Sequence, residues 1–249
     1  MKSTNHLLLL LICCTVLSSC THYTQLYETK ATSPMKIEGG RYTFENDTIR
    51  IIYNFWADSG VLSFQIFNKL NVPLYIDWKK SSFVQNGEKL DYWADQENTK
   101  GEATGISYNG YYRMSFHKTK SSSMTIRPER VIFIAPESST NKNQFYLYPV
   151  KTPLANFKTG QVSVARQKKA VTAKYNDFNA GNSPLIFRNF LTLSLDEQST
   201  KEIYIDNGFY VSKVSELKKK YVFKEVDDGI HPIQKSVYMY DPTFFYVNL

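Results

Sequence analysis

Between Arg41 and Tyr148 the chain breaks into eight short runs rich in β-branched and aromatic residues, a pattern that leaves little room for anything but antiparallel sheet. The runs are Arg41 to Glu45, Thr48 to Trp56, Val61 to Phe67, Leu74 to Trp78, Ser82 to Gln85, Tyr112 to Phe116, Val131 to Ala135 and Gln144 to Tyr148. Within Val61 to Phe67, Leu62, Phe64 and Ile66 alternate with Ser63 and Gln65, so one face is buried and the other wet. Between the runs stand Glu45-Asn46-Asp47, Asp58-Ser59-Gly60, Asn86-Gly87 and Asn109-Gly110, residues that tolerate the left-handed backbone of tight turns.

Further on, Leu185 to Leu195 reads as another strand. Asp206-Asn207-Gly208 reads as a turn between Ile203 to Ile205 and Phe209 to Val211. Ser212 to Tyr221 reads as the one helix: a serine cap, Val214, Leu217 and Tyr221 turned inward, and Lys218, Lys219 and Lys220 where a helix dipole favours cations. One-sided sheets must cover one another, so the expected fold is mainly β: an antiparallel β-sandwich, Ig-like or related, with one short C-terminal helix.

Before this body, Lys2 precedes an apolar run from Leu7 to Leu17, the charged start and apolar core of an export signal, too short to span a bilayer. The run ends in Leu17-Ser18-Ser19-Cys20, which resembles the lipobox of bacterial lipoproteins. The resemblance implies cleavage before Cys20, acylation of its sulfur and amine, and attachment to the membrane through the acyl chains. An ordinary signal peptide cut elsewhere would instead leave Cys20 as a lone thiol. Cys13, Cys14 and Cys20 are the only cysteines, so the exported body has no means of forming a disulfide.

The division expected is therefore a signal over 1–19, a flexible tether over 20–36 that mixes Thr, Tyr, Ser and Pro without a period, and a single elaborated sandwich domain over 37–249. Thr21-His22 lacks the Asp that often signals inner-membrane retention, which favours the outer membrane. The absence of an early acidic cluster after Cys20 favours its periplasm-facing leaflet. The segments Leu62 to Gly87 and Asn182 to Ser194, taken with the lipobox and the Lys-, Asn- and aromatic-rich composition, make the chain similar to uncharacterised lipoproteins of Bacteroidota.

The formal charge of +7 is spread among acidic neighbours, the pattern of a solvated surface, and nucleic acid is not an expected partner. A mildly basic face would still be drawn to an anionic membrane. An envelope protein or a glycan is the expected partner.

Catalysis finds little support. The histidines beyond the signal are His22, His117 and His231, no GxSxG-like elbow surrounds a serine, and no HExxH or paired-cysteine motif is present. Asp227-Asp228-Gly229 and the pair Asp95 and Glu97 gather oxygens without the spacing of a calcium loop. The chain is thus expected to be non-enzymatic and to use neither metal nor cofactor.

Aromatics make up 15% of the residues, with 18 Tyr and 16 Phe. Trp78, Tyr92, Trp93, Tyr108, Tyr111 and Tyr112 cluster in sequence around the long stretch Trp93 to Tyr111, where they are placed to stack on sugar rings or pack against a protein, or to cover sheet ends as core. That stretch and Leu154 to Ser183 are the expected binding loops. Asp47-Thr48-Ile49 resembles the acceptor motif for O-linked glycans in exported Bacteroidota proteins.

Overall fold

The computed structural model describes residues 22–94, 98–100, 107–109, 113–115, 124–126, 129–147, 152–153, 157–163, 170–226, 234–237 and 241–249, with backbone alone for the stretches within 98–126 and 224–237. In chain order the first strands are β1 (Tyr23–Ala31), β2 (Lys36–Glu38), β3 (Arg41–Glu45), β4 (Ile49–Asn54), β5 (Val61–Asn68), β6 (Leu74–Asp77), β7 (Ser82–Gln85) and β8 (Glu88–Asp91). The middle of the chain adds β9 (Asn98–Lys100), β10 (Ser107–Asn109), β11 (Arg113–Ser115), β12 (Met124–Ile126), β13 (Val131–Ile134) and β14 (Ser139–Tyr146). The last third holds β15 (Lys158–Val162), β16 (Val171–Asp177), β17 (Ile186–Ser194), β18 (Glu202–Lys218), β19 (Phe223–Val226), β20 (Gln234–Val237) and β21 (Phe244–Asn248).

Two antiparallel sheets pack as a sandwich. The smaller runs β14-β5-β4-β3-β2. The larger follows β13-β6-β17-β18-β1-β21, with the hairpin β7–β8 on β17 and the hairpin β15–β16 on β18. Strands β4 and β5 alternate strictly between buried and half-buried, as the spacing of Leu62, Phe64 and Ile66 predicts. Ile49, Ile51 and Tyr53 from β4 thereby meet Phe187, Leu191, Phe209 and Val211 from the opposite sheet. Phe55 fills the centre edge-on to Phe187 at 5.3 Å and to Phe209 at 5.0 Å, a geometry that suits the ring quadrupoles.

The larger sheet is covered on both faces where β1, β18 and β21 meet. Tyr27, Val214 and Phe245 face the sandwich, while Leu26 and Leu217 face outward, under Val162, Ala173, Val222 and Phe223. This double coverage corrects the helix expected at Ser212 to Tyr221. Those residues form the end of β18 and then a single 3₁₀ turn, Lys219–Tyr221. Val214 and Leu217 lie three apart, which mimics a helical stripe, yet they sit on opposite faces of a strand that is buried on both.

Three other expectations give way. The tether reading fails from Tyr23 onward, because β1 is an interior strand between β18 and β21. Its polar residues are satisfied inside: Gln25 Nε2 donates to the Thr152 carbonyl at 3.0 Å, and Thr29 Oγ1 to the Thr243 carbonyl at 2.6 Å. The stretch Leu154 to Ser183 is not one long loop but contains the hairpin β15–β16. Asn207-Gly208 is no turn either, lying mid-strand in β18. There a Cβ on Gly208 would stand 2.2 Å from Thr32 Oγ1, so the glycine admits a crossing segment instead of reversing the chain. Asn86-Gly87, with φ of 47° and 88°, does make the expected two-residue turn between β7 and β8.

Candidate functional site

Because β4 and β5 send every other side chain to the core, their intervening residues, with those paired to them on β14, line the outer face of the small sheet. Register aligns them in two rows across the strands. Ile52 lies opposite Gln65, which lies opposite Asn141; Asn54 lies opposite Ser63, which lies opposite Asn143. Directly opposed side chains on one face have Cβ atoms about 5 Å apart, so each row is a continuous line of contact groups. Arg41, at the start of β3, closes one end of this groove, which has a volume of about 250 Å³.

Five of the lining residues carry amides or a hydroxyl, Ile52 and Phe64 are apolar, and Arg41 and Lys142 are cations; none is a carboxylate. Local bonds hold two of the amides in place. Gln65 Nε2 donates to Ser139 Oγ at 3.0 Å, and Asn54 Oδ1 accepts from the Trp56 backbone N–H at 3.1 Å. Side-chain amides offer two donors and an acceptor carbonyl each, and such groups exchange hydrogen bonds with hydroxyls or amides.

The side chain beneath this face is Lys142, which lies between Asn141 and Asn143 and points the other way. Its Nζ lies 4.7 Å from the centroid of the Trp78 ring and 5.8 Å from that of Tyr92. Burial holds its ammonium below the usual lysine pKa.

That arrangement decides the role of the sequence-selected aromatics. Trp78 and Tyr92 are each only 5% exposed and pack edge-on at 5.4 Å, so they are core and offer no open face to a sugar ring. Tyr92 Oη donates to Asn189 Oδ1 at 2.8 Å. Trp93 is half-buried, with Lys79 Nζ 5.5 Å from its ring centroid. The backbone of Tyr108 belongs to β10, opposite Met114, while Tyr111 and Tyr112 lie outside the described residues. The described structure therefore brings Trp78, Tyr92 and Trp93 together as packing, with the amide groove on the far side of the β14 backbone.

Cys20, His117, His231, Asp95, Glu97 and Asp227-Asp228-Gly229 also lie outside the described residues. His22 is exposed. Thr48, of the possible glycan-acceptor motif, is half-buried in the turn before β4, its N–H donating to Asn46 Oδ1. Among the described residues no three His, Cys, Asp or Glu side chains gather as a metal site. No helix there is long and apolar enough to cross a membrane.

Among the described residues Asp77 is a buried charge, its side chain 1% exposed beside Arg130. Burial pushes its carboxyl up, but the Arg130 hydrogen bond, the Lys80 and Lys79 backbone N–H groups and the Arg130 charge outweigh it and hold the pKa below the usual value. Asp77 organises the turn after β6 and has no opening to the amide groove.

The amide groove was missed in sequence because Asn141 and Asn143 fall before Gln144, where strand character first becomes visible; the alternation of Ser63 and Gln65 was the only signal. Comparison of the chain with protein-family models, curated proteins and solved structures finds no match.

Proposed function

We propose that the chain is a lipid-anchored lipoprotein of the cell envelope, held at the outer membrane through acylated Cys20 and acting as a non-enzymatic binding or structural module facing the periplasm. The signal ending in Leu17-Ser18-Ser19-Cys20 supports the anchor. The groove of Asn54, Ser63, Gln65, Asn141 and Asn143 carries the binding reading, because it gathers neutral hydrogen-bonding groups beside the cations Arg41 and Lys142 and includes no carboxylate. Fractionation of cells expressing the wild-type chain or Cys20→Ala tests the anchor: the wild type is expected with the membranes and the variant in the soluble fraction. Retention of the variant on membranes overturns it.

The same rows of amides favour a second, narrower reading, carbohydrate capture, since sugar hydroxyls both donate and accept and need no charge complement. The test is an envelope-glycan array probed with the exported body. Binding lost in Asn141→Ala with Asn143→Ala supports capture in the groove. An empty array, or binding that survives both substitutions, leaves the module a protein-binding or structural one.

A further inference from the structure

The strand that replaces the expected tether sets the start of the described chain against a cluster of lysines. Lys219 donates its backbone N–H to the His22 carbonyl at 2.9 Å, and Lys218 stands opposite Tyr23 in the register of β1 and β18. Only Thr21 separates His22 from Cys20. Two residues of extended chain reach at most about 7 Å, less than the screening length of about 8 Å at physiological salt. An acyl group on Cys20 therefore cannot stand off from the lysines beside it.

From this we infer that the end of β18 and the turn after it, carrying Lys218, Lys219 and Lys220, rest on the bilayer and contact anionic lipid headgroups, so that the body is held flush against the membrane by two linked signals. The inference rests on the lipoprotein reading proposed above and adds a surface and a lipid class to it. Lys218 and Lys220 are exposed, and neither pairs with a carboxylate among the described residues. Lys219 and Lys220 lie 5.9 Å and 5.5 Å from the ring centroids of the buried Phe223 and the half-buried Tyr221, so both ammonium groups are held over aromatic rings at this end of β18. Of the nearby acids, Asp58 is engaged by Asn248 Nδ2 at 2.6 Å, and Glu216 is half-buried on the sandwich-facing side of β18.

The larger sheet then stands away from the membrane. From Lys218 to Glu202 is sixteen residues of one strand, up to about 50 Å at the usual rise. Acyl chains and basic side chains reinforce one another at an anionic surface, each raising the effective concentration of the other.

The absence of any cysteine after Cys20 makes the test clean, because an introduced thiol is then the sole labelling site once Cys20 is acylated. The full acylated chain carrying Lys220→Cys or Lys201→Cys is labelled with a fluorophore and reconstituted in vesicles whose headgroups bear a quencher. One set of vesicles contains phosphatidylglycerol and the other only phosphatidylcholine. The expected result is stronger quenching at position 220 in phosphatidylglycerol than in phosphatidylcholine vesicles, falling to the phosphatidylcholine level at high salt or when Lys218→Glu and Lys219→Glu are added, and none at position 201. Quenching at 220 that is equal in both vesicles, or indifferent to those two substitutions, overturns the headgroup contact while leaving the anchor. Mass spectrometry of the same chain reads the anchor separately: a chain without acyl mass overturns the anchor, and the apposition with it.

Discussion

Asn189 and Asn207 face each other across β17 and β18 and aim both amides at one phenol: Asn189 Nδ2 donates to Tyr53 Oη at 3.0 Å and Asn207 Nδ2 at 2.9 Å. All three residues are at most 1% exposed, and Tyr53 comes from the opposite sheet. An apolar contact tolerates sliding, whereas this three-way bond is made in only one alignment of the two layers.

Tyr53→Phe is expected to cost about 2 kcal/mol or more, since it preserves the ring but strands two buried donors. Urea unfolding reads this as a lower midpoint with an unchanged slope. A loss below about 0.5 kcal/mol would mean that the amides find other partners.

Stability is expected to fall at alkaline pH through the buried tyrosines. Burial pushes the Tyr42 hydroxyl up from 10.0 to about 12 and pushes Tyr53 and Tyr92 up as well. Below pH 10 these groups are neutral in both states and the native fold keeps its full stability. Above it the unfolded chain ionises while the folded one resists, so each of these tyrosines drains stability at about 1.4 kcal/mol per unit, Tyr42 between pH 10 and about 12 and Tyr53 and Tyr92 from pH 10 upward. Phenolate absorbance and circular dichroism followed together should rise and collapse in one transition.

The acid limb depends on Asp77. Its folded pKa lies below 3.8, so its contribution is present above that value and is lost as pH falls through the folded pKa. Arg130→Ala removes the guanidinium that offsets burial, and the midpoint of acid unfolding is expected to move to higher pH. An unmoved midpoint would show that the Lys79 and Lys80 N–H groups suffice.

Three glycines separate strain from crowding. Gly60 has φ of 64°, and a Cβ there would stand 2.8 Å from Phe245 Cγ and 3.0 Å from Leu147 Cβ, so Gly60→Ala incurs both penalties. Gly87 has φ of 88° in open space, and Gly87→Ala is expected to cost only about 1 kcal/mol. Gly208→Ala meets Thr32 Oγ1 and is expected to cost about 1–3 kcal/mol, much of it recovered by adding Thr32→Ala. Thermal unfolding of the four variants gives the order.

Legibility followed burial on one face. Val61 to Phe67 announced itself because Leu62, Phe64 and Ile66 are inside and their neighbours outside. Tyr23–Ala31 did not, because Gln25 and Thr29 are buried through side-chain hydrogen bonds, and a polar residue inside looks in sequence like one outside. The bulge opposite Glu28 and Thr29 shifts the β18 pattern by one residue, and coverage of both faces then completes the disguise as a helix. Asn207-Gly208 carried turn chemistry in its letters, but Tyr53 claims the amide and Thr32 the space.

The placement of Lys142 bears on how the molecule behaves in a crowd of its own kind. Strand β14 is an edge of the small sheet, and an edge is a template for another chain. With an ammonium turned inward from that strand, the sheet cannot be extended without sealing a charge away from solvent. On the other side β2 has only three residues, all exposed. Both borders therefore resist the lateral strand addition by which sheets of neighbouring molecules join into fibrils.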